Sequence, residues 1–271
     1  MHRLLKLTVV ATITWSAFLA SAWAEDRRVA LVIGNGAYEH AGRLDNPVND
    51  AHDIKAALEK HGFDVVLGTD VGKQQFEAKL KDFVRKLPGA GAAVFFFAGH
   101  GLQVSGQNYL LPIDARLESE RDLEFEALRV DFVLRQMELE RADKTSIVFL
   151  DACRNNPLAR NLARTMGTRA VSLGHGLAQV EGGVGTFVAF STQPGNVALD
   201  GTGRNSPFAG ALAKRIAEPG RNLSGLMIQV RKDVLAATSG AQVPWDHSAL
   251  TGEFYFDRSA RAGAATATGV D

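Results

Sequence analysis

From Arg28 onward, short apolar runs alternate with segments whose apolar side chains recur every three or four positions. Residues 28–34 (RVALVIG) are β-branched and almost wholly apolar, the pattern of a strand covered on both faces. Residues 49–61 read as a helix, with Ile54 and Leu58 four apart and Gly62 as its stop. A second strand is predicted at 63–67. A helix follows over 73–87, where Phe76, Leu80, Phe83 and Leu87 line one face before Pro88 and Gly89 end it. Further strands are predicted at 93–97 (AVFFF), 145–150 (TSIVFL) and 185–191 (GTFVAFS), with a short terminal one at 254–256. Helices are expected at 130–141, 207–217 and 223–238. Strands alternating with helices predict a three-layer α/β/α sandwich around a mostly parallel six-stranded sheet.

In such a sheet, binding sites fall at the C-terminal ends of the strands. Two residues of reactive type are expected there. His100 stands just past the third strand in FFFAGHG, and Cys153 just past the fourth in LDACRNNP. Consecutive parallel strands are commonly neighbours, so the two can meet across a long sequence separation.

The first 24 residues do not belong to this pattern. Arg3 and Lys6 precede an apolar stretch, and Ala22-Trp23-Ala24 reads as a small-x-small cleavage site before Glu25, the order of a secretory signal peptide. The expected organisation is a signal peptide at 1–24, one folded domain at 25–257 and a disordered Ala/Thr/Gly-rich tail at 258–271. The chain as written balances 30 Lys+Arg against 30 Asp+Glu. Loss of Arg3 and Lys6 with the signal makes the mature chain mildly acidic, which argues against a nucleic-acid partner. No second apolar span follows, so no membrane span is expected after signal removal, and the protein is read as exported, periplasmic or secreted.

The chain has a single cysteine, which excludes an intrachain disulfide framework and a Cys-rich zinc site. A lone cysteine is ordinarily a small buried hydrophobe. Cys153, however, sits in a polar, turn-like run directly after an apolar strand, where a thiolate nucleophile can be presented. His100 differs from the other histidines in lying between two glycines at the end of a strongly apolar strand. The amide N–H groups of Gly101 and Cys153 can then form an oxyanion hole. Residues 156–183 hold Arg160, Arg164 and Arg169 among several glycines, with little apolar period. Gly34-Asn35-Gly36 is better explained as a tight strand-to-helix turn than as a dinucleotide loop, because Glu39 stands where a third glycine is needed.

FFFAGHG followed some fifty residues later by LDACRNNP resembles the caspase-type cysteine peptidases, and the bacterial relatives of metacaspases and paracaspases more than animal caspases. LVIGNGAY, LDNPVNDAHDI, LLPID, FSTQPGNVALDG and SPFAGAL occur in family order, so the likeness spans nearly the whole chain after the signal. The resemblance implies an endopeptidase with Cys153 as nucleophile, His100 as general acid/base and Gly101 N–H as oxyanion donor. It implies an acyl-enzyme intermediate, a protein or peptide substrate, and no metal or organic cofactor in the chemistry. It also implies that Asp50 and Asp151 line the primary specificity pocket and favour Arg or Lys. Two carboxylates in a partly desolvated pocket suit a cation. Structural alternatives stand beside these roles: Asp50 as a helix N-terminal acid, and Asp151 as an acceptor that orients the nucleophile loop. Trp245 and Gln242 are read either as cleft lining or as packing.

Three departures from the family pattern matter. Ala98 stands where a serine is common before Gly-His-Gly. Calcium-activated members use an acidic cluster, and Asp114 is a candidate member without a convincing set around it. Arg43 keeps acidic specificity open, because animal caspases recognise aspartate through an arginine in this region. Arg160, Arg164 and Arg169 are candidate autoprocessing sites. A catalytically silent caspase-fold binding module and a Cys-dependent cell-wall amidase are the competing functions, and oligomeric state is not set by the sequence.

Overall fold

The computed structural model describes residues 27–139, 141, 144–153, 177, 182–193, 198–257 and 259. The expected signal peptide at 1–24, Arg160, Arg164, Arg169 and nearly all of the expected tail lie outside the described residues.

The main sheet is built from β1 (Arg28–Gly34), β2 (Phe63–Thr69), β3 (Ala92–Val104), β6 (Thr145–Cys153), β7 (Thr186–Phe190) and β8 (Trp245–Ser248), in the order β2-β1-β3-β6-β7-β8. The first five are parallel and β8 is antiparallel to β7. Side chains alternate across the central strands, and both faces are buried. Ala30, Val32, Val94, Phe96, Ile147 and Phe149 pack against α1 (Pro47–Glu59), α5 (Pro207–Ile216) and α6 (Leu223–Ala237). Leu31, Ile33, Phe95, Phe97, Val148 and Leu150 pack against α2 (Lys73–Lys86) and α4 (Val130–Glu138). Continuous apolar runs are therefore required in β1, β3 and β6, because a polar residue on either face would be left in a dry layer. The three-layer α/β/α sandwich is the fold.

Two features depart from the sequence pattern. The sixth strand is not 254–256 but Trp245–Ser248, paired from Phe187↔Ser248 to Phe190↔Trp245. The alternation in 254–256 comes from packing: Phe254 and Phe256 are buried in the α1/α5/α6 layer, and Tyr255 makes only an isolated bridge to Asn222. The second departure bears on the site. β3 does not stop at Phe97 but runs on to Val104, and β6 runs through Cys153. His100 and Cys153 are thus the last register pair between β3 and β6, not loop residues beyond the strands.

Past His100, β3 leaves the main sheet and pairs antiparallel with β4 (Gln107–Leu110), which in turn pairs with β5 (Leu128–Arg129), next to the short helix α3 (Leu123–Glu126). The β3–β4 turn is Ser105-Gly106, with φ of 51° and 80°, the left-handed pair a two-residue hairpin requires. Leu102, Val104, Tyr109 and Leu111 form a third, smaller core beneath it.

At the other end of the site, Gly34 ends β1. A Cβ there would lie 2.1 Å from the Pro47 carbonyl oxygen, so glycine lets α1 sit directly on the strand end. Asn35, fully buried, bonds both the N–H and the carbonyl of Val71 and the carbonyl of Leu111, tying the β1 end to its neighbours. The turn reading of Gly34-Asn35-Gly36 holds.

Candidate active site

His100 is fixed from three sides. Its backbone N–H donates to the Tyr38 hydroxyl at 2.7 Å, and that hydroxyl donates onward to the Leu111 carbonyl at 3.2 Å. The Tyr38 and His100 rings lie 4.4 Å apart, tilted by 48°. Gly99 makes this approach possible: its φ is +154°, and a Cβ on it would fall 2.5 Å from the Tyr38 oxygen. The third restraint is on the imidazole itself, whose Nε2 lies 2.6 Å from the Gly42 carbonyl. A carbonyl only accepts, so Nε2 carries the hydrogen and the neutral ring keeps its lone pair at Nδ1. Nδ1 is buried and has no hydrogen-bond partner among the described residues. Burial lowers the His100 pKa, partly offset by the Gly42 bond and the negative charge of Asp200. The ring is a neutral base with one uncommitted nitrogen.

Cys153 is the register partner of His100 across β3 and β6. Parallel neighbours run about 4.8 Å apart, so this register sets the two residues side by side at the sheet's C-terminal end. Gly101 is the next residue on β3, opposite Leu110 in the hairpin. A Cβ on Gly101 would lie 3.0 Å from the Ala152 Cβ, so a side chain there would press the two strands apart at the site.

A few residues away, Leu44, Pro47, Asp50, Ala98, Gly99, Asp151, Leu199, Asp200 and Ser206 line a small, half-open pocket with about 10 Å³ of free space. Asp50 and Asp151 face this space and are 1% and 7% exposed. They meet at the start of α5. The Ser206 N–H donates to Asp50 Oδ1 at 3.0 Å, and the Ser206 hydroxyl donates to Asp151 Oδ2. Burial pushes both carboxyl groups above the ordinary range. The charge of Asp151 pushes Asp50 further, while hydroxyls of Ser206 and Ser191 hold Asp151 back.

The structure thus brings His100, Gly101 and Cys153 together on one strand end, with Asp50 and Asp151 together beside them. Both carboxylates reach Ser206 at the start of α5. Asp50 also stands in the first turn of α1, so its place as a helix N-terminal acid goes together with this contact.

Asp200 is a third acid at the pocket, missed by the sequence reading although it stands in FSTQPGNVALDG. Its Oδ2 accepts the Asp45 N–H at 3.0 Å, and burial raises its pKa. A loop acid carries no periodic signal, and only its place in the family-ordered segment marked it. Gln242 is fully buried and bridges the Ser191 carbonyl to the Leu199 N–H, so it buttresses the pocket wall from behind. Trp245 lies half-exposed on the edge strand. Arg43 points to the surface beside Asp45, with its side chain 75% exposed. Asp114 accepts the Lys73 N–H at 2.9 Å and so serves the start of α2. Among the described residues no group of three or more His, Cys, Asp or Glu is placed to hold a metal ion. Among the same residues no helix is long and apolar enough to cross a membrane.

Comparison with known proteins agrees with this layout. A family model, the caspase domain, matches residues 27–255. Mucosa-associated lymphoid tissue lymphoma translocation protein 1 of Homo sapiens is 27% identical over 127 residues, which cover 47% of this chain and 15% of that protein. The homolog of that protein in Mus musculus matches to the same extent. The aligned stretch is therefore a small part of those relatives. With the caspase-domain match running through β1, β3, β6 and the acids at the start of α5, the chain belongs to the caspase family of cysteine peptidases.

Proposed function

We propose that the protein is an exported cysteine endopeptidase that cleaves after Arg or Lys, with Cys153 as nucleophile and His100 as general acid/base. The observation that carries this is the His100↔Cys153 register, with Nε2 held by Gly42 and Nδ1 left uncommitted. His100 Nδ1 takes the Cys153 thiol proton, and the thiolate attacks the carbonyl carbon of the scissile peptide. The N–H groups of Gly101 and Cys153 donate to the resulting oxyanion. The protonated imidazole then gives its proton to the departing amine as the C–N bond breaks, leaving a thioester. Water, deprotonated by the same nitrogen, cleaves the thioester and restores the thiol. The scheme needs no metal or organic cofactor.

Preference for Arg or Lys rests on the acids: Asp50, Asp151 and Asp200 line one small pocket, and no cation lines it among the described residues. A pocket of this charge disfavours an acidic side chain, and Arg43 is not among its lining residues.

Reporter peptides ending in Arg, Lys, Asp or Ala test both parts. Wild-type enzyme is expected to cleave the Arg and Lys reporters, and Cys153→Ala to cleave none. Equal rates in the two proteins would end the nucleophile assignment. Preference for the Asp reporter would end the pocket assignment.

A further inference from the structure

Three of the hydrogen bonds of Ser206 bear on the pocket and on the start of α5. Its backbone N–H donates to Asp50 Oδ1 at 3.0 Å. Its hydroxyl oxygen accepts the Ala209 N–H at 2.9 Å, the N-terminal cap of α5. Its hydroxyl hydrogen is then directed to Asp151 Oδ2, a buried acceptor within reach. One residue therefore donates to both pocket carboxylates. Each of these bonds favours the charged form of the carboxyl group that accepts it.

Two carboxylates this close and this buried do not both ionise readily. Asp151 receives hydroxyl bonds from Ser206 and Ser191, both of which favour its charged form. Asp50 has the Ser206 N–H and Asn205 as its donors. The other charged groups near the pair are Asp200 and Arg204 on the segment before α5, and Asp53 on α1, which pairs with Arg204 at 3.0 Å. On β3, His100 faces Asp200. Arg204 is paired with Asp53 on the outside, and among the described residues no cation lines the pocket.

We propose that Ser206 is the positioning residue of the specificity pocket: it holds Asp50 and Asp151 together and leaves one proton on Asp50, which an entering Arg or Lys side chain displaces to solvent. The inference rests on the basic-residue preference proposed above. Binding of the substrate cation converts the pair from one charge to two, and the released proton passes to buffer. KM for an Arg reporter therefore falls as pH rises through the range where the empty pocket still holds its proton, and it levels off above that range.

The test has two arms. The first is calorimetric titration of Cys153→Ala with an Arg-ended peptide at neutral pH, in two buffers of different ionisation enthalpy. About one proton released per peptide bound is expected. The second is the pH profile of KM for wild type, Ser206→Ala and Ser206→Thr. Loss of the hydroxyl leaves Asp151 less able to hold charge, so the Ser206→Ala midpoint moves to higher pH by about one unit, the scale of one hydrogen bond to a charged group. Ser206→Thr restores the wild-type profile. If Ser206 only caps α5, Ser206→Ala lowers the melting temperature with no movement of the midpoint. That result overturns the proposal, as does proton-free binding of a peptide that the wild type cleaves. Absence of cleavage after Arg or Lys overturns the underlying preference, and the proposal with it.

Discussion

Two buried polar centres share the C-terminal end of the sheet, and they are satisfied in opposite ways. His100 is held rigidly by Tyr38 and Gly42, yet keeps Nδ1 without a partner among the described residues. The acids at the start of α5 each accept a bond from Ser206, yet lie so close together in a buried site that they do not both ionise readily. Among the described residues, His100 Nδ1 lacks a hydrogen-bond partner, and no cation lines the pocket of the acids. Burial makes both deficits costly, so each centre is specific about what relieves it. A proton relieves the first, and a cation the second.

The largest effect should come from the centre that handles the proton. His100→Ala removes the base while leaving the acids intact, and kcat is expected to fall by on the order of 10³-fold or more, with a smaller change in KM. The next effect belongs to the acids. Asp151→Asn keeps a side-chain oxygen for Ser206 but removes the charge, and kcat/KM for an Arg reporter should drop by about 10²-fold. An Ala reporter should lose far less. If both variants lose the two reporters equally, the centres do not divide the work between base and pocket.

The same contrast explains which parts could be read from sequence. β1, β3 and β6 were readable because both faces are buried along their central residues, which are constrained to be apolar. The edge strand β8 was not, since Trp245-Asp246-His247-Ser248 is exposed or half-exposed and carries no alternation. It is held instead by its pairing with β7 and by the Arg231–Asp246 ion pair. Glycines 99 and 101 suggested a turn, although one admits Tyr38 and the other admits β6 within a continuing strand. His100 and Cys153 stood out by residue type and setting, but the restraint from Gly42 is a main-chain carbonyl, which any residue supplies. Ser206 was visible within SPFAGAL as a family-like segment and a helix start. Nothing in a one-dimensional pattern shows that its two donors reach acids more than fifty and one hundred and fifty positions away.

The smallest effect concerns stability, and its sign separates the two centres again. The folded protein raises the Asp50 pKa above its unfolded value, mainly through burial and then through Asp151. Above the ordinary carboxylate range, the folded state therefore holds a proton that the unfolded state has lost. Unfolding free energy then declines as pH rises across that window. Asp50→Asn keeps an acceptor for the Ser206 N–H but has no proton to lose, so its stability should not show this decline. Its melting temperature should match wild type in mild acid, and exceed it by a few degrees at alkaline pH. His100 acts in the other sense. Its pKa is lowered in the folded state, so acid, not alkali, sets the neutral imidazole at a disadvantage. His100→Asn should accordingly narrow the gap to wild type as pH falls below the histidine range. Melting curves of the two variants across pH, recorded by circular dichroism, check both signs at once. Parallel curves would mean that the acids tolerate burial without strain, and that the contrast between the two centres is one of geometry alone.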